Sequence, residues 1–480
     1  MKHGRTATIH FLTQVATTVA GFLATFVIAV YLGSEGLGEY SVALSIGYYW
    51  LVFPAASVAS AVTKRMSEGR NPAGYVSGGL LINATLAVVG AVTILAAGEL
   101  LTGIVSRDRE FMRILLTYDV EIAALYVAAI VFRTAVGVLE GQKRVAKTGV
   151  LKAIERVGRT GLQVAFLLAG LGVGAIAFGH AGSLLLVGVV GFLLSAYRLT
   201  VPSVTQIRSL ADYAKYAWVG ALQGRVFGWL DTIILSFFVS SSLIGIYEAS
   251  WGIASMLAMV SSSISKTLFP EISDISTSDE YVRIRHFVDE ALAFSGIFII
   301  PGLFGALLLG GRVLRFYRPE FGIGETVLVI LVVAYAADVY ASQLISVINA
   351  VDRPDAAFRI NGVFIVANAA LNVVLIIQFG WLGAAVATAA STALRAVVSY
   401  AVLRRIINRV SLPLGEVGRQ LGASLLMAGA ILAVRDAVPP GRIGTLLVVG
   451  FGAMVYGATL LALSARVRNK VRLLTPDALL

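Results

Sequence analysis

The chain has 480 residues, of which 58% are hydrophobic and only 14% are charged. A soluble domain carries about 25% charged residues, so this composition excludes an ordinary soluble protein and indicates a polytopic membrane protein. Cysteine is absent, which excludes disulfides and cysteine-based metal sites, and the four histidines show no ligand spacing. The net charge of +11 is expected to reflect basic loops and a basic interior, not nucleic-acid binding.

Apolar runs of about 20 residues or more, long enough to cross a bilayer, recur along the whole chain. They predict an all-α membrane protein with about fourteen transmembrane helices. No polar stretch is long enough to form a separate soluble domain. The runs fall near residues 9–33, 37–62, 76–104, 112–138, 146–170, 173–197, 214–239, 243–269, 286–310, 324–350, 357–379, 381–403, 417–437 and 443–465.

The order of these runs predicts two halves and an addition. Six runs precede residue 200 and six more end near residue 405, so we expect two six-helix lobes, at 1–200 and 201–410. With six helices each, both lobes enter the membrane from the same side and would be parallel pseudo-repeats. Residues 411–480 add two transmembrane helices and a basic tail.

A weak internal similarity favours a duplication. Shifting the stretch around residue 245 back by 207 positions matches residue types, turn and span in the first part of the chain. The shift lays Ser241, Gly245 and Tyr247 on Ser34, Gly38 and Tyr40.

Lysine and arginine are concentrated in the loops that a cytoplasmic N-terminus would place inside the cell. The positive-inside rule therefore predicts that both termini are cytoplasmic in a multi-pass plasma-membrane protein. The first apolar run lacks a small-residue cleavage site, so we interpret it as a retained first span.

Arginines within the apolar runs of the N-terminal half form polar stripes. Tyr126 and Arg133 are seven residues apart on the fourth run, and Arg156 and Arg159 share a face of the fifth with Glu155. Such stripes face a bundle interior or a water-filled cavity. One interpretation is an intramembrane salt-bridge network with Glu155. The other is an anion site, because arginine outnumbers carboxylate there and suits phosphate.

Three ionisable residues lie inside the seventh and eighth runs, namely Arg225, Asp231 and Glu248. An ionisable group at membrane depth costs about 2.5–3.5 kcal/mol on insertion scales and is by default a candidate functional residue. The alternative is that Arg225 and Asp231 neutralise structural partners on neighbouring helices.

The tenth run carries Tyr335 and Asp338 on one side, and Trp251 follows Glu248 on the eighth. These polar faces fit either cavity walls or helix–helix hydrogen bonding. No catalytic constellation, phosphate-binding glycine loop or acidic metal motif is present in the sequence. No cofactor and no metal are therefore predicted.

The chain resembles the polysaccharide-transporter branch of the multidrug/oligosaccharidyl-lipid/polysaccharide flippase superfamily, over nearly its whole length. Each motif is short, but their order and spacing match the family. The motifs are Asp231 followed by G-x-Y-x-A at Gly245, Tyr247 and Ala249, Pro270, Asn368 and Asn372 ahead of G-W-L-G-A-A-V-A-T at 380–388, and Y-L-G-S-E-G-L-G-E-Y at 31–40.

The resemblance implies two six-helix lobes around a central cavity, with alternating access by rocking of the lobes. The implied activity is a non-enzymatic flippase for a polyprenyl-linked oligosaccharide, moving it to the outer leaflet for surface polysaccharide or glycoprotein synthesis. The expected partners are this lipid-linked substrate and the bilayer, and the protein is expected to act as a monomer. The two added helices could hold the lipid tail.

Under this hypothesis the candidate residues fall into three groups. Phosphate would be held by Arg133, Arg156, Arg159 and Arg225. Sugars would stack on Tyr126, Trp251 and Tyr335. A coupling ion, H⁺ or Na⁺, would act at Asp231, Glu248 or Asp338. The alternatives are an ion-coupled drug exporter of the same superfamily and a membrane-embedded glycan polymerase or ligase.

Overall fold

The computed structural model describes the backbone of residues 2–474 apart from 70–71, 102, 104, 107–108, 198, 277–280 and 409. Side chains are described for the same residues except 2–20, 216, 218–221, 223, 259–283, 286 and 471–474. The described residues form α-helices joined by short turns, with no strand among them. The prediction of an all-α fold is confirmed.

The chain divides into two compact units. Unit 1 comprises Met1–Glu248 and Ile376–Trp381, and unit 2 comprises Ala249–Leu375 and Leu382–Leu480. The helices of unit 1 are α1 (Lys2–Leu44), α2 (Phe53–Ser67), α3 (Pro72–Leu101), α4 (Glu110–Thr117), α5 (Asp119–Gly141), α6 (Val145–Leu168), α7 (Val173–Ser195) and α8 (Val204–Leu235). The helix α9 (Ser241–Ser276) begins in unit 1 and continues into unit 2.

The helices of unit 2 are α10 (Tyr281–Leu314), α11 (Glu325–Ala350), α12 (Pro354–Phe379, except its last turn), α13 (Trp381–Ile407), α14 (Leu414–Val434), α15 (Arg442–Leu463) and α16 (Ala465–Leu474). The two helices predicted beyond residue 411 are α14 and α15, which pack on each other and on α10. The lobe boundaries near residues 200 and 410 stay predictions.

Many helices are long and apolar enough to cross a bilayer, and ten such segments occur in the described residues. Their outer faces carry large apolar side chains. On α3, Val88, Val89 and Val92 are 65%, 58% and 60% exposed. A contiguous apolar surface of this kind is unfavourable in water and is expected against lipid. The chain is therefore a multi-pass membrane protein, and the count of fourteen spans stays a prediction.

The first two predicted runs differ from the observed elements. The run at 9–33 and the start of the next form one long helix, α1, which is kinked at Gly33 with φ 72°. Glycine adopts this backbone conformation without a Cβ clash. A π-helical turn at Ser45–Trp50 then leads into α2. Hydropathy placed the break correctly near residue 33 but could not show that the helix resumes without a loop.

The helices α1 and α9 approach each other closely through two glycines. A Cβ atom at Gly38 would overlap the carbonyl oxygen of Ser241, and one at Gly245 would overlap the carbonyl oxygen of Ser34. The Ser34 and Ser242 hydroxyls are 2.6 Å apart at the same crossing. The 207-residue shift lays Gly245 on Gly38 and Ser241 on Ser34. The glycine of each copy of the proposed repeat therefore contacts the serine carbonyl of the other copy.

Ion pairs connect α4 to this crossing. Arg113 lies 2.8 Å from Glu39 of α1 and 2.7 Å from Glu110 of α4, and it donates to the Ser241 hydroxyl at 3.2 Å. The Tyr118 hydroxyl donates to Glu39 at 2.8 Å. The short helix α4 is thus held against both α1 and the first turn of α9.

The helix α5 organises the part of unit 1 that surrounds the candidate site. It packs against α2, α3 and α7. The Asn83 amide of α3 donates to Thr134 of α5 at 2.8 Å, and the Thr63 hydroxyl of α2 donates to the Gly137 carbonyl at 2.8 Å. Polar side chains buried between helices are stabilised by such hydrogen bonds, and they fix the register of α2 and α3 on α5.

Candidate functional site

A cavity of about 270 Å³ lies within unit 1, between α2 and α5, with contributions from α6 and α8. Its walls combine apolar residues with hydroxyl and charged side chains. Among the predicted site residues, it brings together Arg133 of α5 and Arg225 of α8. The polar and charged residues that line it are Ser57, Ser60, Thr63, Arg133, Glu140, Lys152 and Arg225.

Arg225 is held by aromatic residues and one carbonyl group. Its guanidinium donates to the Tyr49 carbonyl at 2.7 Å, and its central carbon lies 5.5 Å and 5.4 Å from the ring centres of Tyr49 and Phe53. Trp229 in turn stacks on the Tyr49 ring, with 3.8 Å between the two ring centroids. Aromatic faces attract a cation without neutralising it, so the full positive charge of Arg225 remains at the cavity.

Arg133 has a similar environment. Its guanidinium carbon lies 5.1 Å from the ring centre of Tyr48, and its Nε is buried without a hydrogen-bond partner among the described residues. No carboxylate of the described chain lies within 4.0 Å of a guanidinium nitrogen of Arg133 or Arg225. Two partly buried cations at one cavity therefore lack, among the described residues, the counter-charge that usually accompanies such groups.

Arg156 and Arg159 lie on α6 and do not line this cavity. The Arg159 guanidinium lies 3.2 Å from His180 Nε2 and 3.9 Å from Glu155. Because guanidinium only donates, Nε2 of His180 must accept, and His180 is therefore neutral with its hydrogen on Nδ1. That Nδ1 lies 2.9 Å from the Tyr40 hydroxyl. Arg159 thus has the neutral His180 as its hydrogen-bond partner and only a long contact to Glu155.

Arg156 packs against α1. Its guanidinium occupies the space beside Gly21, where a Cβ would overlap it, and its Nε is buried without a hydrogen-bond partner in the described part of the chain. Arg156 is thus a third partly buried arginine of unit 1 that has no carboxylate within ion-pair distance among the described residues.

Tyr126, predicted to stack on sugars, is buried between α5 and α3. Its hydroxyl donates to the Leu86 carbonyl at 2.7 Å, and its ring fills the space beside Gly90. The residue does not line the cavity.

The two acidic residues of the α8–α9 stretch are both hydrogen-bonded; Asp231 is buried and Glu248 is partly buried. Tyr247 donates to Asp231, and the Thr232 hydroxyl donates to Glu248. Both contacts connect α8 to the first turns of α9. The structure thus brings Asp231 and Glu248 into one polar cluster, separate from the cavity residues.

The remaining predicted site residues lie in unit 2. Trp251 and Tyr335 are in contact, with ring centroids 5.1 Å apart. Asp338 forms an ion pair with Arg395 of α13. Arg395 also donates from Nε to the Asn361 side-chain oxygen at 3.3 Å.

Glu140 and Lys152 were not among the candidate site residues predicted from the sequence. In the structure they form an ion pair of 2.8 Å at the cavity. The α2 hydroxyls Ser57, Ser60 and Thr63 carried no signal, since serine and threonine are common in membrane helices.

Comparisons with known proteins agree on one group of membrane transporters. A family model described as polysaccharide biosynthesis protein matches residues 4–276. A probable flippase of Haloferax volcanii, AglR, is 31% identical over 490 residues, covering 100% of this chain and 99% of the relative. A probable low-salt glycan biosynthesis flippase of the same organism, Agl15, is 26% identical and covers 82% of both chains.

Solved structures show the same fold at low sequence identity. The lipid II flippase MurJ in an inward closed conformation superposes with a TM-score of 0.76 at 15% identity, covering 95% of this chain and 98% of that chain. An inward-facing multidrug resistance transporter of the MATE family, in the MOP superfamily, gives a TM-score of 0.64 at 12% identity and covers 83% and 98%.

Proposed function

Because the chain belongs to the polysaccharide biosynthesis protein family, we propose that it is a flippase for a lipid-linked oligosaccharide. In this proposal the substrate moves from the cytoplasmic to the outer leaflet by alternating access, for surface polysaccharide or glycoprotein synthesis. The names of the two Haloferax relatives and the MurJ-like fold support this function.

One observation carries the proposal, namely the two unneutralised guanidiniums at the cavity. Arg133 and Arg225 retain their positive charge at the cavity. A phosphate or diphosphate would offset this charge and accept bidentate hydrogen bonds from either guanidinium. The headgroup would thus avoid the cost of crossing hydrocarbon unaided, while the prenyl tail remains in lipid.

Arg156 extends this basic region, and we propose that it contributes long-range attraction for the same anion. Arg159 would act indirectly, since its guanidinium already contacts His180. If the membrane potential is negative inside, outward movement of an anion gains about 2.3 kcal/mol per charge per 100 mV. The potential alone would then favour export.

An additional ion, H⁺ or Na⁺, would bind most readily at Asp231 and Glu248. Tyr247 and Thr232, which donate to them, are neutral hydroxyl groups that a proton or Na⁺ can displace. Asp338 is a weaker candidate because the ion would have to compete with the guanidinium of Arg395. Tyr126 would not stack on a sugar in the cavity, since its ring is packed between α5 and α3.

The experiment is transport of a fluorescent prenyl-linked sugar into the far leaflet of liposomes that contain the purified protein. We expect Arg133→Ala and Arg225→Ala each to lower the flipping rate by about tenfold or more, because a lost charge-assisted hydrogen bond has this effect. Arg208→Ala is the matched control, since this exposed arginine of α8 lies outside the cavity and should not alter the rate.

Lysine at position 133 or 225 should restore part of the rate, because it keeps the charge and loses the bidentate geometry. Full flipping in both alanine variants, at wild-type abundance, would refute the anion site. Efflux of cationic dyes without movement of the lipid-linked sugar would instead identify a drug exporter.

A further inference from the structure

The cavity is lined by hydrogen-bonding groups of two types. The guanidiniums of Arg133 and Arg225 and the ammonium group of Lys152 offer only donors. A second group on α2 and α5 lines the same cavity, which we name the acceptor wall: Ser57, Ser60, Thr63 and Glu140.

The hydroxyl hydrogens of the acceptor wall are already used inside the fold. Ser57 and Ser60 each donate to the carbonyl oxygen four residues earlier, at 3.1 Å. The Thr63 hydroxyl oxygen lies 3.1 Å from the Ala59 carbonyl oxygen, four residues earlier, and 2.8 Å from the Gly137 carbonyl oxygen. A hydroxyl has one hydrogen and two lone pairs. Each of these oxygens can therefore only accept a hydrogen bond from a ligand in the cavity.

Glu140 adds a charged acceptor. One of its carboxylate oxygens pairs with Lys152 at 2.8 Å, and a carboxylate has about four lone-pair sites, so acceptor capacity remains. Arg133 and Glu140 are seven residues apart on α5, nearly two turns, which separates them by about 10 Å on the same face. This distance suits a phosphate followed by one sugar ring.

We propose that the acceptor wall binds the hydroxyl groups of the sugar joined to the anion, and so makes the cavity selective for glycosylated over bare prenyl phosphates. This inference rests on the proposed function. Sugar hydroxyls can donate to the wall, whereas deprotonated phosphate oxygens cannot. The wall therefore recognises the sugar and not the phosphate. A site of this kind discriminates strongly against a ligand that lacks the donor groups.

The test compares two probes on the purified full-length protein: a short-chain prenyl phosphate, and the same molecule carrying one hexose. The wild type should bind the glycosylated probe more tightly. In the variant Ser57→Ala/Ser60→Ala/Thr63→Val this preference should fall by about tenfold, with the affinity for the bare prenyl phosphate unchanged. Glu140→Gln, which keeps the size of the side chain, should lower the preference in the same direction.

One control and one milder variant keep the outcomes distinct. Thr85→Val removes a hydroxyl of α3 that makes the same kind of carbonyl bond, at 2.9 Å, on an exposed face away from the cavity, and should change neither affinity. Ser60→Ala alone, at an exposed position, should lower the preference without risk to folding.

Suppose that Arg133→Ala lowers the affinity for the bare prenyl phosphate but the triple variant keeps the full preference for the glycosylated probe. The proposed role of the acceptor wall is then wrong, and the proposed anion site stands. If the wild type binds neither probe, or if Arg133→Ala leaves the bare probe unaffected, the proposed function and this inference both fail.

Discussion

Arg395 of unit 2 shows how this protein treats a buried charge that has a partner. Its side chain is only 4% exposed, and it pairs with Asp338, which is 16% exposed. Phe364 covers the guanidinium, with 5.5 Å between its ring centre and the guanidinium carbon. Arg133 and Arg225 of unit 1 have aromatic neighbours too, but no carboxylate among the described residues. A neutralised pair needs no ligand, whereas unpaired cations favour one.

The Arg395–Asp338 pair yields a stability prediction. Arg395→Met or Asp338→Leu alone should lower the free energy of unfolding by about 3–5 kcal/mol, because each leaves an uncompensated buried charge. The double variant should recover most of that loss, since two apolar side chains of similar size replace the pair. Chemical unfolding in detergent would measure this, and additive losses in the double variant would contradict it.

At the scale of elements, the crossing of α1 and α9 depends on missing side chains. Gly38 and Gly245 let each helix contact the backbone of the other, and Arg113 adds ion pairs from α4. Small residues permit this approach in membranes, where helix association relies on close packing. These glycines occupy equivalent positions of the proposed repeat, so the same small-residue motif lies on both helices of the crossing.

We expect Gly38→Ala and Gly245→Ala each to destabilise the protein by about 1–3 kcal/mol through overpacking, because the new methyl group would meet a carbonyl oxygen. Gly182→Ala of α7 is the matched control, as no atom lies within 4 Å of the added methyl group. It should be neutral or stabilising by up to about 1 kcal/mol. Melting temperatures of the three variants would decide, and equal values would refute the close crossing.

At the scale of the whole molecule, helices satisfy the hydrogen-bonding groups of the backbone within lipid. Every buried amide must find a partner where water is absent, and all described elements are helical or single turns. The family match, the flippase relatives and the MurJ-like fold confirm the resemblance to the MOP superfamily and agree with a transporter instead of an enzyme.

The orientation of the chain can be tested directly because it contains no cysteine. Single cysteines at Glu68, in the turn after α2, and at Asp436, after α14, would report their side of the membrane. The positive-inside rule predicts that a membrane-impermeant maleimide labels Asp436→Cys in intact cells and Glu68→Cys only after permeabilisation. The reverse labelling pattern would contradict the predicted topology, in which both termini are cytoplasmic.

Hydropathy alone determined the all-α membrane class, the approximate positions of most helices and the break near Gly33, because a bilayer imposes length and apolarity on each span. Short motifs were enough to identify the superfamily. Helical periodicity also showed that Arg133 and Arg159 lie on polar faces. Periodicity states which residues share a face, however, and not which helix that face meets.

Only the tertiary structure decided the partners. It put Arg225 of α8 at one cavity with Arg133 of α5, and it put Arg159 against His180. It also showed that Tyr126 is buried and that its hydroxyl donates to the Leu86 carbonyl oxygen. These outcomes depend on contacts between residues far apart in the chain, whose register is set by side-chain packing and hydrogen bonding between helices, and no local pattern in the sequence encodes that register.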